Sequence, residues 1–86
     1  MRKIRINTVY RHFKGDLYLV EAIAEHTETG EQMVIYRALY DNFKLYARPY
    51  NMFISEVDHE KYPDVKEKYR FEEANIQSVK GLVKKK

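Results

Sequence analysis

The 86-residue chain contains no cysteine, no tryptophan and only three glycines, and it has no long apolar run. Without cysteine it forms neither a disulfide nor a thiolate metal site, which is consistent with a reducing cytoplasm. The glycines are scattered, so no glycine-rich loop is present to cradle a phosphate. No segment approaches the roughly 20 apolar residues of a membrane span, and the N-terminus lacks the apolar core of a signal peptide. We therefore expect a cytoplasmic protein without a membrane partner.

Charge is distributed unevenly between the ends and the body of the chain. All 13 acidic residues lie between Asp16 and Glu73, whereas seven of the 16 basic residues lie in 1–7 and 80–86. A dedicated nucleic-acid surface needs basic groups along one face, and basic ends on an acidic body do not provide one. The pattern favours solubility of the ends and leaves weak, nonspecific nucleic-acid binding through them as an alternative.

The middle third of the chain has the composition of three strands joined by two tight turns. A three-residue loop that closes with Gly30 at positive φ pairs Glu21 with Arg37. A four-residue turn at 41–44 then pairs Arg37 with Arg48.

These registers sort the strand side chains into a charge-free face and a mixed face. The charge-free face is the predicted core: Tyr18, Val20, Ala22, Ala24, Val34, Tyr36, Ala38, Tyr40, Leu45 and Ala47. On the mixed, outer face we predict contact with a protein or a small anionic partner, through Leu19, Ile35, Arg37, Leu39, Tyr46 and Arg48. Glu21 serves Arg37, so Arg48 is left for a carboxylate from 56–73 or for an anionic group of a partner.

We predict a mainly β fold, a small SH3-like barrel of about five strands over residues 8–58. A 3-10 turn at 50–53 precedes its last strand, at 54–57. Residues 1–7 form a basic lead-in. Residues 59–86 form a polar C-terminal extension with short helical segments, for which 63–68 and 72–83 are the candidates.

Several motifs occur in the order typical of one known family. They are YRHFKG at 10–15, AEHTETGE at 24–31, YRALY at 36–40, RP at 48–49, MF at 52–53 and RF at 70–71. Over about residues 9–73 the chain thereby resembles the bacterial DUF1653 family of proteins of unknown function. The resemblance implies an SH3-like barrel without an established activity, cofactor or catalytic residue. Tyr46 departs from the pattern, which commonly has Trp there, but it keeps an aromatic ring.

The same motifs point to a second candidate surface. It comprises Tyr10, His12, Lys14, Met52 and Phe53. The chain's three histidines show no metal-ligand spacing, so we expect neither a metal site nor a cofactor. His12 could act as an acid or base near neutral pH, but no serine or cysteine nucleophile lies at a sequence spacing that indicates a catalytic pair with it. We therefore predict a non-catalytic binding module, with a small enzyme that uses His12 as the alternative.

Overall fold

The computed structural model describes residues 2–74, which form one mainly β unit. Five antiparallel strands build a single sheet in the order β4-β3-β2-β1-β5. The strands are β1 (Thr8–His12), β2 (Leu17–Glu25), β3 (Gln32–Ala38), β4 (Leu45–Pro49) and β5 (Phe71–Glu73). A one-turn α-helix, α1 (Tyr50–Phe53), follows β4 directly, where a 3-10 turn was predicted. The predicted mainly β class, with five strands, is confirmed.

The sheet curls so strongly that side chains of its two edge strands meet. Strands spaced by about 4.8 Å would separate β4 from β5 by about 19 Å in a flat sheet. Instead, the guanidinium carbon of Arg48 in β4 lies 5.4 Å from the ring centre of Phe71 in β5. Within residues 2–74 no backbone pairing joins these two edges. Closure of the predicted barrel is therefore not observed in this part of the chain.

The core is a set of aromatic rings enclosed by the curled sheet and α1. Phe53 of α1 lies parallel to Phe71 of β5, with ring centres 4.0 Å apart. Tyr10 and Tyr36 meet the Phe53 ring edge-on, at 5.5 and 5.3 Å. Pairs of this kind add about 0.5–1.5 kcal/mol each beyond their buried area. The buried cluster comprises Tyr10, Val20, Val34, Tyr36, Phe53 and Phe71.

The N-terminal segment is anchored to this core through Arg2. Its guanidinium donates hydrogen bonds to the carbonyls of Ile54 and Phe71, at 3.0 and 2.6 Å. The same group lies 3.9 Å above the ring centre of Tyr69. The predicted basic lead-in therefore takes part in the fold.

The β2–β3 hairpin has the predicted glycine conformation but a different register. Gly30 has a φ of 75°, as predicted. The amide of His26 donates to the carbonyl of Glu31 at 2.8 Å, so four residues form the loop instead of three. The predicted pairing of Thr27 with Glu31 is therefore wrong, because the chain turns one residue earlier.

Because of a β-bulge at Glu21, the side chains in the first half of β2 lie on the faces that were predicted for them. The register shifts between Val20 and Ala22, and Val20 is fully buried, as predicted. Beyond the bulge the side chains exchange faces. Ala22 and Ala24 are exposed, so their predicted core positions are wrong, and Ile23 packs against the core in their place.

The β3–β4 loop is longer than predicted. The amide of Ala38 donates to the carbonyl of Lys44 at 2.9 Å, which leaves five loop residues between them. Asp41 and Phe43 take left-handed backbone conformations, with φ of 51° and 57°. Non-glycine residues seldom adopt this conformation, so the sequence carried no signal for the longer loop.

The longer loop exchanges the two faces of β4. Tyr46 lies opposite Tyr36 and Arg48 lies opposite Val34, so the register differs from the prediction by three residues. Since Tyr36 and Val34 are buried, Tyr46 and Arg48 lie on the core side and their predicted outer-face positions are wrong. The predicted core positions in β4 are also wrong, because both residues are exposed: Leu45 and Ala47.

The C-terminal part of the sheet also differs from the prediction. The strand predicted at 54–57 is reduced to one bridge between Glu56 and Tyr69. The fifth strand is β5, which lies beyond residue 58, where the barrel was expected to end. Residues 63–68 contain no helix. The helix predicted at 72–83 overlaps β5 and otherwise lies outside the described residues.

Replacing Gly30 with alanine tests the hairpin turn. Apart from Gly30 and its two chain neighbours, no residue has a heavy atom within 4 Å of the position that a Cβ would occupy, so the cost is that of an L residue at positive φ. We expect the free energy of unfolding to fall by about 1 kcal/mol, measured by urea denaturation. Glu28→Ala, in the same turn at an ordinary φ, is the control and should change it by no more than about 0.5 kcal/mol. An unchanged midpoint for Gly30→Ala would contradict this geometry.

Ending the chain at residue 58 tests whether β5 belongs to the domain. The shortened chain lacks Phe71, which is 1% exposed. Truncating one such phenylalanine to alanine costs about 3–5 kcal/mol, against a total stability of about 5–15 kcal/mol. We expect residues 1–58 to show no cooperative thermal unfolding by circular dichroism. A chain that ends at Ala74 keeps every described contact and should unfold cooperatively. If the 1–58 chain folded, the domain would end at residue 58, as the sequence predicted.

Candidate functional site

The residues predicted to form one partner surface lie on two sides of the sheet. The outer side holds Leu19, Ile35 and Arg37, and Leu39 is exposed just beyond β3. Tyr46 and Arg48 lie on the core side, where the Tyr46 ring stacks on Tyr36 at 5.7 Å. One flat contact with the outer face therefore cannot include all six.

On the outer side, Arg37 is bound within the chain. Its Nε donates to Glu21 Oε2 at 2.6 Å and its Nη2 to Oε1 at 3.4 Å, so the predicted ion pair is confirmed. The predicted strand pairing of these two residues is wrong, because Arg37 lies opposite Leu19. Its Nη1 donates to the carbonyl of Phe43 at 2.9 Å. The hydrogen bond from Arg37 lowers the pKa of the Glu21 carboxyl. All three guanidinium nitrogens are engaged, so Arg37 is a poor anchor for a partner.

Arg48 instead lies in a cleft of about 290 Å³, here called the basic cleft. Three parts of the chain meet there: the end of β1 with its following turn, the end of β4, and the segment between α1 and β5. The lining residues are His12, Phe13, Lys14, Arg48, Asp58, Lys61, Tyr62 and Arg70. Four of these are lysines or arginines and one is an aspartate.

The positive charge of the basic cleft is not compensated by the chain's side chains. Every aspartate and glutamate of the chain lies within the described residues, and the ion pairs formed there are Arg5–Glu73 and Arg37–Glu21. Oδ1 of Asp58 accepts the backbone amides of Glu60 and Lys61, at 3.1 and 3.3 Å. The carboxylate from 56–73 that was an alternative partner for Arg48 is therefore not found.

The two arginines of the cleft retain unused hydrogen-bond donors. Nε of Arg48 donates to the hydroxyl of Tyr36 at 3.2 Å, which leaves its terminal nitrogens for other acceptors. Nε of Arg70 is buried and has no hydrogen-bond partner among residues 2–74. A buried donor without a partner costs about 1–3 kcal/mol, and more when the group is charged. This site therefore retains hydrogen-bonding capacity that its own fold leaves unmet.

His12 is the one histidine that lines the cleft, and histidine ordinarily titrates near neutral pH. Its Nδ1 accepts the backbone amide of Lys14 at 3.2 Å, so the neutral ring carries its proton on Nε2. Burial lowers the pKa of His12, and the positive charges of Arg48, Lys14 and Arg70 lower it further, against a weaker opposing effect of Asp16. His12 is thus neutral at physiological pH and offers an N–H donor.

An aromatic rim borders the cleft. Phe13 and Tyr62 meet edge-to-face, with ring centres 5.1 Å apart. Nζ of Lys14 lies 5.5 Å from the Tyr62 ring centre, as does Nζ of Lys61. Cation–π contacts of this kind contribute about 0.5–1 kcal/mol at exposed sites. They hold both ammonium groups beside the opening.

The family-motif surface predicted from the sequence divides between the core and the cleft. Tyr10 and Phe53 are buried, and Met52 is 48% exposed on α1. His12 and Lys14 line the basic cleft, but no single surface contains all five.

Sequence reasoning missed most of the cleft lining. The missed residues are Phe13, Asp58, Lys61, Tyr62 and Arg70. Arg70 did carry a signal, since it belongs to a family motif beside Phe71. Lys61 and Tyr62 lie in a polar segment without periodicity, so nothing in the sequence marked them.

Residues 2–74 contain no group of three or more histidine, aspartate or glutamate side chains placed to hold a metal ion. No helix in the same range has the length and apolar character needed to cross a bilayer.

The comparisons with known proteins cover the whole sheet. The family model described as "Protein of unknown function (DUF1653)" matches residues 8–73, which include all five strands. The chain is similar to the crystal structure of a DUF1653 protein from Bordetella bronchiseptica. The two are 33% identical, with a TM-score of 0.67 over 83% of this chain and 87% of that one. No curated protein matches. The resemblance read from the motifs is therefore confirmed, and the chain belongs to the DUF1653 family.

Proposed function

We propose that the protein is a non-catalytic binding module that holds an anionic group of its partner in the basic cleft. One observation carries the proposal. Lys14, Arg48, Lys61 and Arg70 line one cleft, and none of them forms an ion pair within residues 2–74. Four cations held around a single carboxylate repel one another and raise the energy of the fold, and an anion bound between them would offset that cost.

The chemistry of the lining supports binding over catalysis. Nδ1 of His12 already accepts a hydrogen bond, so the neutral ring presents a donor where a general base needs an acceptor. Among the described residues, no serine, threonine or cysteine lines the cleft to act as a nucleophile. Cationic groups flanked by aromatic rings are instead typical of sites that recognise anions.

The size of the cleft bears on what it can hold. Ligand pockets that enclose whole small molecules commonly measure about 300–1,000 Å³, and this cleft measures about 290 Å³. It is therefore close to the lower limit of that range. The partner is then a small anionic molecule, or a protein that inserts one anionic side chain.

Nucleic-acid binding through the basic ends has less support. Arg2 is engaged with backbone carbonyls of the core, and Arg5 pairs with Glu73 at 3.3 Å. The closing lysines lie outside the described residues.

Replacing Arg48 with glutamine tests the proposal. A hydrogen bond from a charged group contributes about 1.5–3 kcal/mol, so the dissociation constant for sulfate should rise at least about tenfold. Stability should fall by no more than about 3 kcal/mol, the upper value for the hydrogen bond from its charged guanidinium to Tyr36. The measurement is a titration of the ¹⁵N-labelled protein with sodium sulfate, against sodium chloride at equal ionic strength.

Two lysines of the same segment provide a matched comparison. Lys61 lines the cleft, whereas Lys66 is exposed and outside it. Lys61→Gln should weaken sulfate binding and Lys66→Gln should not. Equal effects of the two changes, or amide shifts without saturation, would contradict a defined site. Duplex DNA binding that survives Arg48→Gln and disappears on removal of 80–86 would favour the basic ends.

A further inference from the structure

His12 lies where charges of both signs meet. From the turn after β1 it faces Lys14 and Asp16, from β2 Tyr18, from β4 Arg48, and from the segment before β5 Arg70. A smaller neighbouring cleft that His12 also lines contains Arg11, Glu67, Glu72 and Glu73. The charges that act on the protonation of His12 are those of Arg48, Lys14 and Arg70, opposed by Asp16.

In the absence of an anion, the basic side dominates this balance. Burial and the charges of Arg48, Lys14 and Arg70 together hold the His12 ring neutral, and Asp16 opposes them more weakly. An anion between these cations cancels their field at the ring. Any hydrogen bond that the anion accepts from Nε2 is stronger when the ring is an imidazolium.

The donors of the cleft favour a particular class of anion. Four cations stand against one carboxylate, Asp58, which is already hydrogen-bonded to backbone amides. A single carboxylate would leave most of this charge uncompensated. The donors come from three parts of the chain, so they approach from different directions. Tetrahedral oxygens match such an arrangement, whereas a carboxylate offers its two oxygens in one plane.

We infer that the basic cleft binds a doubly charged tetrahedral oxyanion, the chemistry of a phosphate monoester, and that binding draws a proton from solvent onto His12. The inference rests on the proposed function, which it makes specific in ligand class and in pH dependence. No bond is made or broken in the ligand. One proton moves from solvent to His12 when the anion binds and returns when it leaves.

Sulfate is the probe for the proton, because it stays a dianion throughout the range in which histidine titrates. Calorimetric titrations at constant ionic strength should give a dissociation constant that falls between about pH 8 and about pH 5.5. The fall is about tenfold for each pKa unit by which sulfate raises the pKa of His12. Proton uptake should appear as a difference in binding heat between buffers of unlike ionisation enthalpy.

The variant His12→Gln tests proton uptake separately from anion binding. Glutamine keeps an N–H donor near the position of Nε2 but does not titrate. The variant should bind sulfate at about pH 8 and lose the pH dependence, whereas His26→Gln, which alters a histidine in the β2–β3 loop, should retain it. Should His12→Gln fail to fold, NMR titration of the His12 ring in the wild type gives the same answer. Its pKa must be higher with sulfate than with chloride.

Stability without the anion gives an independent readout. Because the pKa of His12 is lowered in the folded state, the unfolded chain binds its proton first as pH falls. Folding stability is then unaffected well above about pH 6.5 and declines below it. The melting temperature of the wild type should fall more steeply on acidification than that of His12→Gln, and sulfate should make the two slopes more alike.

The outcomes distinguish the inference from the proposed function. Sulfate binding with no pH dependence would overturn the inference and leave the anion-binding module intact. No binding of any anion by the wild type would overturn both. Acetate that binds as tightly as inorganic phosphate would overturn the dianion assignment. The affinities for O-phosphoserine and adenosine monophosphate are each compared with the affinity for inorganic phosphate. Equal affinities indicate that the cleft recognises the phosphate group alone. A higher affinity for one of the two indicates a phosphoprotein or a nucleotide as the natural ligand.

Discussion

The parallel contact between Phe53 and Phe71 is the interaction on which the rest of the structure depends. It joins α1, which follows one edge strand, to β5, the opposite edge strand, and so holds the sheet in its curl. The basic cleft exists only because of that curl. Arg48 and Arg70 come from opposite edges of the sheet, and both reach the cleft beside His12 because the edges are drawn together.

The elements that could be predicted are those determined by nearby residues. Strand positions follow from local alternation, and Gly30 takes its positive φ because the turn requires it. The register depends on features without a sequence signature. The bulge at Glu21 and the left-handed conformation of Phe43 each change how many residues lie between paired positions. A one-residue change exchanges the two faces of a strand, so small errors in the loops placed Tyr46 on the wrong side.

The site was partly predictable for a different reason. Counting charges on the predicted faces left Arg48 without a partner on the sheet, with a carboxylate from 56–73 or an anionic group of a partner as the alternatives. Among residues 2–74 the carboxylate is not found, and the predicted face of Arg48 was wrong. Lys61 and Tyr62 reach the same cleft through the path of an irregular segment, which no periodicity describes. Their position depends on contacts between residues that are far apart in the chain, such as the one between Tyr62 and Phe13. Binding of an anion stays a prediction.

The pairing of β1 with β5 also bears on how the chain reaches its native state. Tyr10, His12 and Phe71 belong to strands that are neighbours in the sheet but lie near opposite ends of the described chain. Bringing them together requires closure of a long loop, which costs entropy before the aromatic contacts repay it. Until β5 docks, one edge of β1 is unpaired and open to pairing with other chains. The last strand of the described chain to be synthesised thus completes the core and at the same time protects β1 from aggregation.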